Sequence, residues 1–560
     1  MRCNRLARLK QKIVWYDVNG IGTVLTDVIS VNVTKGAKAS VNKADVTLKN
    51  PIDKLGSDGL HYTKYVDSNT GIIKFTEGDT VKIYAAMMND NRELDTTTNS
   101  DDLIMSCEVQ EVSTELSGGK TTLKLSCVDK AYVMFNVIWS STYLSDGVVN
   151  TAPLVVQNIV RHASAIKDQT KTGFGVSGEE VLGGWGVDAR FDTDDGFIET
   201  TRNDALKTDF PPISIGKSFK PIYEWLDELS GTEYTNDFND VDKGKEDNPP
   251  QDRTMIYYVD ELNRFHWFYP KDNAVNTLAT AIDDSTSITT ITLTDSSSFS
   301  TSGVVQIGEE LFSYTGNAAN VLSGVVRNYD NTLKEAHSVG DSVYSSLVIT
   351  QSDVSTGNVV IGMKMKKKTF DIVNGIIFNA GDDMNGSGIL GYFYDETTDS
   401  PSLKMVYKAW TYVARELKRK EVVLAESLGQ TTITHVDGDE YDYPADYNDY
   451  GVGKNLPNWF IADPSITTDS TFNDSLRAAA VAEATSKAKN LTAHKGHARW
   501  AGTINLQLRR FTPGKLVRVN SSFCGIRDVD LRINTVQYNL TSNSGTVSLN
   551  LEEDERKIGG

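Results

Sequence analysis

FTEGDTVKIY (75–84) and FTPGKLVRVN (511–520) share Phe, Thr and Gly at the same places, and both then alternate apolar residues as Val-x-Ile or Val-x-Val. Such period-two alternation after a glycine turn predicts a half-buried strand. A second match lies downstream of each. VQEVSTELSGGKTTLKLSCVD (109–129) aligns without gaps on INTVQYNLTSNSGTVSLNLEE (533–553), so that Val112 meets Val536, Leu116 meets Leu540, Leu123 meets Val547, Leu125 meets Leu549 and Cys127 meets Leu551. The offset is 436 residues for the first block and 424 for the second, which makes the connecting loop 12 residues shorter in the second copy. One short match between amphipathic strands carries little weight. Two in the same order, with a polar glycine-containing turn at the same place, predict an internal duplication.

Outward from these blocks, strand patterns dominate. IVWYDV, VLTDVISVNV and KADVTLKN fill residues 13–50, with Val28, Val31 and Val33 near-regular and Asn19-Gly20 as a turn. LIMSCEVQEVSTELSGGKTTLKLSCVD (103–129) reads as two strands joined by Gly118-Gly119. Helical spacing appears in TAPLVVQNIVRHASAI (151–166), with Leu154, Ile159, Ala163 and Ile166 in a stripe after Thr151 and Pro153. It recurs in KPIYEWLDELSG (220–231), through Ile222, Trp225, Leu226 and Leu229, and in the alanine-rich FNDSLRAAAVAEATSKAKNLTAH (472–494), where Asn473 or Asp474 can cap. Polar loops at 237–252 and 435–451 mark boundaries, and 276–345 has the short strands and Ser, Gly and Asn turns of a separate insert.

The 560-residue length implies about three to four domains. With 39% apolar and 9% aromatic residues the chain is globular. Its 75 acidic against 56 basic residues give a net charge of −19, which disfavours conventional nucleic-acid binding and anionic membranes. Cys3, Cys107, Cys127 and Cys524 are too scattered for a disulfide framework or a zinc site, and the last three read as buried thiols. No run reaches the ~18 apolar residues of a membrane helix. The basic start, MRCNRLARLKQK, reads as a frayed terminus, or as an arm that binds phosphate or plugs an acidic groove.

Catalytic constellations are missing from the sequence. There is no GxSxG elbow and no HExxH. His494 and His497 sit near a helix end and read as solvated rather than metal-binding. Asp194-Asp195 and Asp382-Asp383 leave a glycosidase pair open but read as ordinary loop acids. DDMNGSG (382–388) lacks the later Glu of a calcium loop, and GGWG (183–186) lacks a phosphate-binding strand–helix context. Phe265, Trp267, Phe268 and Tyr269 in FHWFYP are expected to be core and interface rather than a sugar platform. No catalytic, cofactor or metal residue is assigned, and the chain is read as non-enzymatic.

Taken together, the block around Asn50-Pro51, FTEGDTVKIY, the strand pair ending in KLSCVD, and the C-terminal helix, GTINLQL, Pro513-Gly514 and two closing strands resemble the baseplate or tail-tip hub family of tailed bacteriophages. PIYEWLDELSGTEY with IYYVDELNRFHWFYP resembles that family's middle domain, and TFDIVNGIIFNAGD (369–382) the strand leading back from it. VVQIGEELFSYTG resembles a small β module inserted in various phage tail proteins. The resemblance implies a mostly β, multidomain α+β chain. Its expected domains are a first tube-like β-barrel domain at 10–145, an α/β middle domain at 150–275, an inserted β module at 276–346, a return segment of the middle domain at 347–415, and a second tube-like β-barrel domain at 416–560. It also implies a homotrimer whose six barrels join a sixfold tail tube protein to a threefold spike protein beside other baseplate proteins, with DNA passing through unbound. That would be a virion protein assembled in the host cytoplasm, without cofactor or membrane anchor. A receptor-binding or cell-wall-degrading tail protein, and the hub of a phage-like contractile injection device, are the alternatives.

Overall fold

The computed structural model describes residues 8–140 with gaps at 39, 89–93 and 97–101, then 152–162, 187–190, 198, 201–204, 207–209, 219–231, 255–268, 274–351 with short gaps, 360–368, 375–382, 388–392, 407–408, 423–427, and 499–553 except 543. The chain divides into two compact units, the first made of 1–232, 254–366 and 501–554, the second of 233–253, 367–500 and 555–560.

The first unit opens with β1 (Arg8–Tyr16), β2 (Gly22–Leu25), β3 (Val28–Gly36), β4 (Lys43–Lys49), β5 (Ile52–Leu55), β6 (His61–Thr63), β7 (Thr80–Met88), β8 (Leu103–Ser117) and β9 (Lys120–Val128). Alternation sets their faces: β4 reads exposed and buried in turn, with Ala44, Val46 and Leu48 inside. Gly20, Gly118 and Gly119 all adopt positive φ, as the predicted turns require. Residues 8–12 of the basic start are strand rather than frayed end, because β7 offers a full antiparallel partner from Met88 to Thr80.

A short middle segment follows: α1 (Val133–Asn136), β10 (Ile138–Ser140), α2 (Ala152–His162), β11 (Thr201–Asp204), β12 (Lys207–Asp209), β13 (Phe219–Pro221), α3 (Ile222–Gly231), β14 (Ile256–Val259) and β15 (Phe265–Phe268). All four apolar residues predicted for α3 are buried. On α2 Val155, Val156, Ile159 and Val160 are buried, and of the predicted stripe only Ile159 is among them, the side chains of Leu154, Ala163 and Ile166 lying outside the described residues. The insert holds β16 (Val275–Thr277), β17 (Thr290–Thr292), β18 (Gly303–Ile307), β19 (Glu310–Tyr314), β20 (Gly316–Ala318), β21 (Val321–Ser323), β22 (Val326–Arg327) and β23 (Ser342–Tyr344). Among the described residues these pair only with one another, over a core drawn from Ala274 to Val343. Its two ends are bonded together: Ser345 N donates to Ala274 O at 2.9 Å, and Ala274 N to Ser345 Oγ at 2.7 Å.

Next come β24 (Leu347–Gln351) and β25 (Val360–Lys368), then β26 (Gly375–Asp382), β27 (Gly388–Tyr392), β28 (Tyr407–Lys408) and β29 (Val423–Ser427), and finally β30 (Arg499–Gln507), β31 (Leu516–Ser521), β32 (Ile526–Thr541) and β33 (Gly545–Glu553). In the second unit β26 bonds β27, β28 and β29 in one sheet. The stretches 435–451 and 472–494 lie outside the described residues. Among the described residues no helix is long and apolar enough to cross a membrane.

Thirteen strands form one sheet in the order β2-β1-β7-β8-β9-β4-β3-β32-β33-β30-β25, with β31 beside β32 and β24 beside β31. Both sequence copies lie in it, and they repeat to the residue. Thr80, Val81, Lys82 and Ile83 face Glu108, Cys107, Ser106 and Met105; their counterparts Leu516, Val517, Arg518 and Val519 face Arg532, Leu531, Asp530 and Val529. The β8–β9 and β32–β33 hairpins share register, and both carry a bulge at equivalent places, between Val109 and Glu111 and between Ile533 and Thr535. The turn repeats as well: Gly78 N donates to Val109 O at 2.9 Å, and Gly514 N to Ile533 O at 2.7 Å.

The repeat extends further than the sequence matches. β4 pairs β9 as β30 pairs β33, with Leu48 and Leu506, and Val46 and Ile504, in equivalent positions. β25 beside β30 therefore takes the place of β3 beside β4. β24 and β25, which lie within the 347–415 stretch expected to return from the middle domain, are strands of this same sheet. The two copies differ at the outer neighbour: β1 pairs β7 antiparallel, and β24 pairs β31 parallel.

Candidate functional site: the junction of the two copies

The copies meet where β3 runs antiparallel to the second half of β32, from Ser30 opposite Thr541 to Gly36 opposite Thr535. The inward residues of this ladder, Val31 and Val33 against Leu540, Tyr538 and Val536, are at most 1% exposed. Burying each such side chain stabilises by ~1.5–3 kcal/mol. Tyr538 closes the far side, its hydroxyl bonded to both the N and the O of Phe511 at 3.1 Å.

The β14–β15 hairpin clips across this seam. Lys38 N donates to Tyr257 O at 2.8 Å on the first-copy side, and Lys515 Nζ lies 4.5 Å from the centre of the Phe268 ring on the second. The hairpin turn supplies Glu261, whose carboxylate takes Lys35 Nζ at 3.0 Å and Arg510 Nη2 at 2.7 Å. Arg510 also donates to Leu103 O at 2.8 Å. Burial pushes the Glu261 carboxyl up, but Lys35 and Arg510 outweigh it and hold it below the usual range. One carboxylate thus joins β3 of the first copy to the segment that leads into β31 of the second.

Beneath it, Asp129 is buried at 2% exposure and accepts Asn42 Nδ2 at 2.6 Å, Asn42 N at 3.2 Å and Ala131 N at 3.1 Å. Burial pushes its carboxyl up to about 7, despite those bonds. Beside Glu261, burial also raises Asp260, but His266 and then Arg264 outweigh it and bring the carboxyl down to about 2. A cavity of about 10 Å³ lined by Lys35, Asn42, Asp260, Glu261 and Pro513 is room for about one water. The arrangement offers no substrate space. It is a fastening.

Of the aromatic run expected to be core and interface, Phe265 and Trp267 are fully buried and stack on Tyr257 at 6.3 and 6.1 Å. Tyr269, GGWG (183–186), Asp194-Asp195, Asp383, His494 and His497 lie outside the described residues. Cys107 and Cys127 are buried and free, while Cys524, at the β31–β32 turn, is only partly covered. Among the described residues no group of three or more metal-ligating side chains gathers. The insert carries its own buried cluster, Glu310 held by Arg327 at 2.6 Å and His337 at 3.1 Å. Sequence reading missed Lys35, Glu261 and Arg510, because 226 and 249 residues separate the partners and no motif spans such distances.

No protein-family model matches the chain, and no curated protein does. Among solved structures, the chain is similar to a tail protein from Neisseria meningitidis MC58, at 10% identity and a TM-score of 0.41, over 98% of this chain and 97% of that one. It is similar to the 43 kDa tail protein of prophage MuSo2 from Shewanella oneidensis, at 9% identity and 0.42, over 97% and 98%. A prophage tail protein from Listeria monocytogenes aligns at 8% identity and 0.34, over 96% and 94%.

Proposed function

We propose that the chain is a structural hub of a phage tail or a related injection device, three copies of which place six similar β units around a channel. The observation that carries this reading is the duplication, in which two copies keep the same strand registers and the same bulge within one chain. A subunit that repeats its β unit twice gives a threefold assembly a sixfold face, which resolves the mismatch between a sixfold tube and a threefold spike. The hub motifs quoted from the sequence support the same reading. The excess of carboxylates suits a conduit that DNA crosses without binding, since a basic lumen would hold it by releasing counterions.

The test is native mass measurement of the full chain, alone and co-expressed with the products of neighbouring genes. A trimer is expected. A stable monomer with those partners present overturns the reading. A receptor-binding or wall-degrading tail protein would instead bind host cells or release sugar or peptide from their walls.

A further inference from the structure

The duplication leaves two strand edges in unequal states. In the second copy one edge of β32 is fully used: Ile526–Arg532 pairs β31, and Thr535–Thr541 pairs β3. In the first copy the same edge of β8 pairs β7 only from Leu103 to Glu108, and Glu111–Ser117 has no partner there among the described residues. The burial follows. Leu540 is 0% exposed, whereas its counterpart Leu116 is 73% exposed. At the other end of the sheet β25, the counterpart of β3, pairs only β30 among the described residues and leaves Ile361 57% exposed.

We propose that these edges pair with each other between copies of the chain, β25 of one adding to Glu111–Ser117 of the next and so repeating the β3–β32 junction. The proposal rests on the multimeric reading above and names the surfaces that would form it. Three observations choose a second copy as the occupant. The contact continues one already present inside the chain. The two edges are the missing halves of that same junction. Their charges are complementary, Glu111 and Glu115 on one strand against Lys364 and Lys366 on the other. Lysines on an edge strand commonly guard against unwanted pairing; against an acidic edge they select a partner instead. Because the two surfaces differ, the contact is head to tail and closes into a ring when the rotation permits.

The experiment uses the full-length chain and three variants: Glu111→Lys with Glu115→Lys, Lys364→Glu with Lys366→Glu, and all four together. Assembly is read by native mass, hydrogen exchange is followed at 111–117 and 360–366, and unfolding curves establish that each variant folds. The wild type should protect both segments on assembly. Each two-site variant should raise the concentration for half-assembly at least tenfold, and the four-site variant should restore it. Equal assembly by all four proteins overturns the proposal, as does protection of only one segment, which assigns that edge to another partner. A trimer whose two segments exchange as freely as in the monomer overturns the edge pairing and leaves the hub reading standing. A chain that stays monomeric with its partners overturns both.

Discussion

Asp129 shows how one residue makes the junction sensitive to pH. Its carboxyl sits among Asn42 and the Ala131 amide with no cation in its bonds, and burial lifts it from 3.8 to about 7. A folded-state pKa above the unfolded one contributes stability that is complete below the unfolded value and lost as pH rises through the folded value. A rise of about three units corresponds to ~4 kcal/mol. Asp129→Asn removes that titration. Urea unfolding should therefore show wild type losing up to ~4 kcal/mol relative to the variant between pH 4 and pH 8. A difference that is flat with pH would mean the carboxyl is ionised throughout. Glu261 is the contrasting case, a carboxylate whose burial is outweighed by two cations.

At the scale of elements, the duplication allows matched substitutions. Gly78 and Gly514 occupy the same turn with φ of +91° and +81°. A Cβ at Gly78 meets nothing within 4 Å, but at Gly514 it lies 2.6 Å from Ile256 Cγ2, because the β14–β15 clip presses on the second turn alone. Gly78→Ala should cost ~1–2 kcal/mol from backbone strain, and Gly514→Ala should cost measurably more in the same unfolding assay. Leu540 and Leu116 form the second pair. Leu540→Ala opens a cavity at the β3–β32 junction and should cost ~2–5 kcal/mol, whereas Leu116→Ala should change monomer stability by less than about 0.5 kcal/mol. Equal losses would contradict the difference in burial between the two hairpins.

For the whole molecule, the insert is the part whose removal is most informative. Its core is closed from Ala274 to Val343, and its ends are hydrogen-bonded to each other, so the chain enters and leaves at one point. What ties it to the large sheet includes Val348 N donating to Gln306 Oε1 at 2.9 Å and Tyr344 lying 5.6 Å from the Arg518 guanidinium. Deleting 276–345 should leave a folded chain with the thirteen-stranded sheet intact, since closing so short a gap costs little loop entropy. Far-ultraviolet circular dichroism and the unfolding midpoint measure this; an insoluble product with several junction lengths would assign the module to the core.

Local pattern by itself determined the strands of both copies, the glycine turns between them, α3 and the short strands of 276–345, because period and turn chemistry are set by neighbours along the chain. It also disclosed the duplication wherever two strands kept matching apolar residues and a matching turn. It did not disclose that β30 repeats β4, or β25 β3, since one short strand such as AGTINLQ resembles any other and only the ladder shows which neighbour it takes. Nor did it disclose the fastening of Lys35 and Arg510 on Glu261, which exists only once β3, the β14–β15 hairpin and the approach to β31 are brought together. Which strand edges are consumed and which stay open is likewise a property of the sheet: Leu540 and Leu116 are the same residue type in the same local pattern, and only β3 lying against one of them makes the difference.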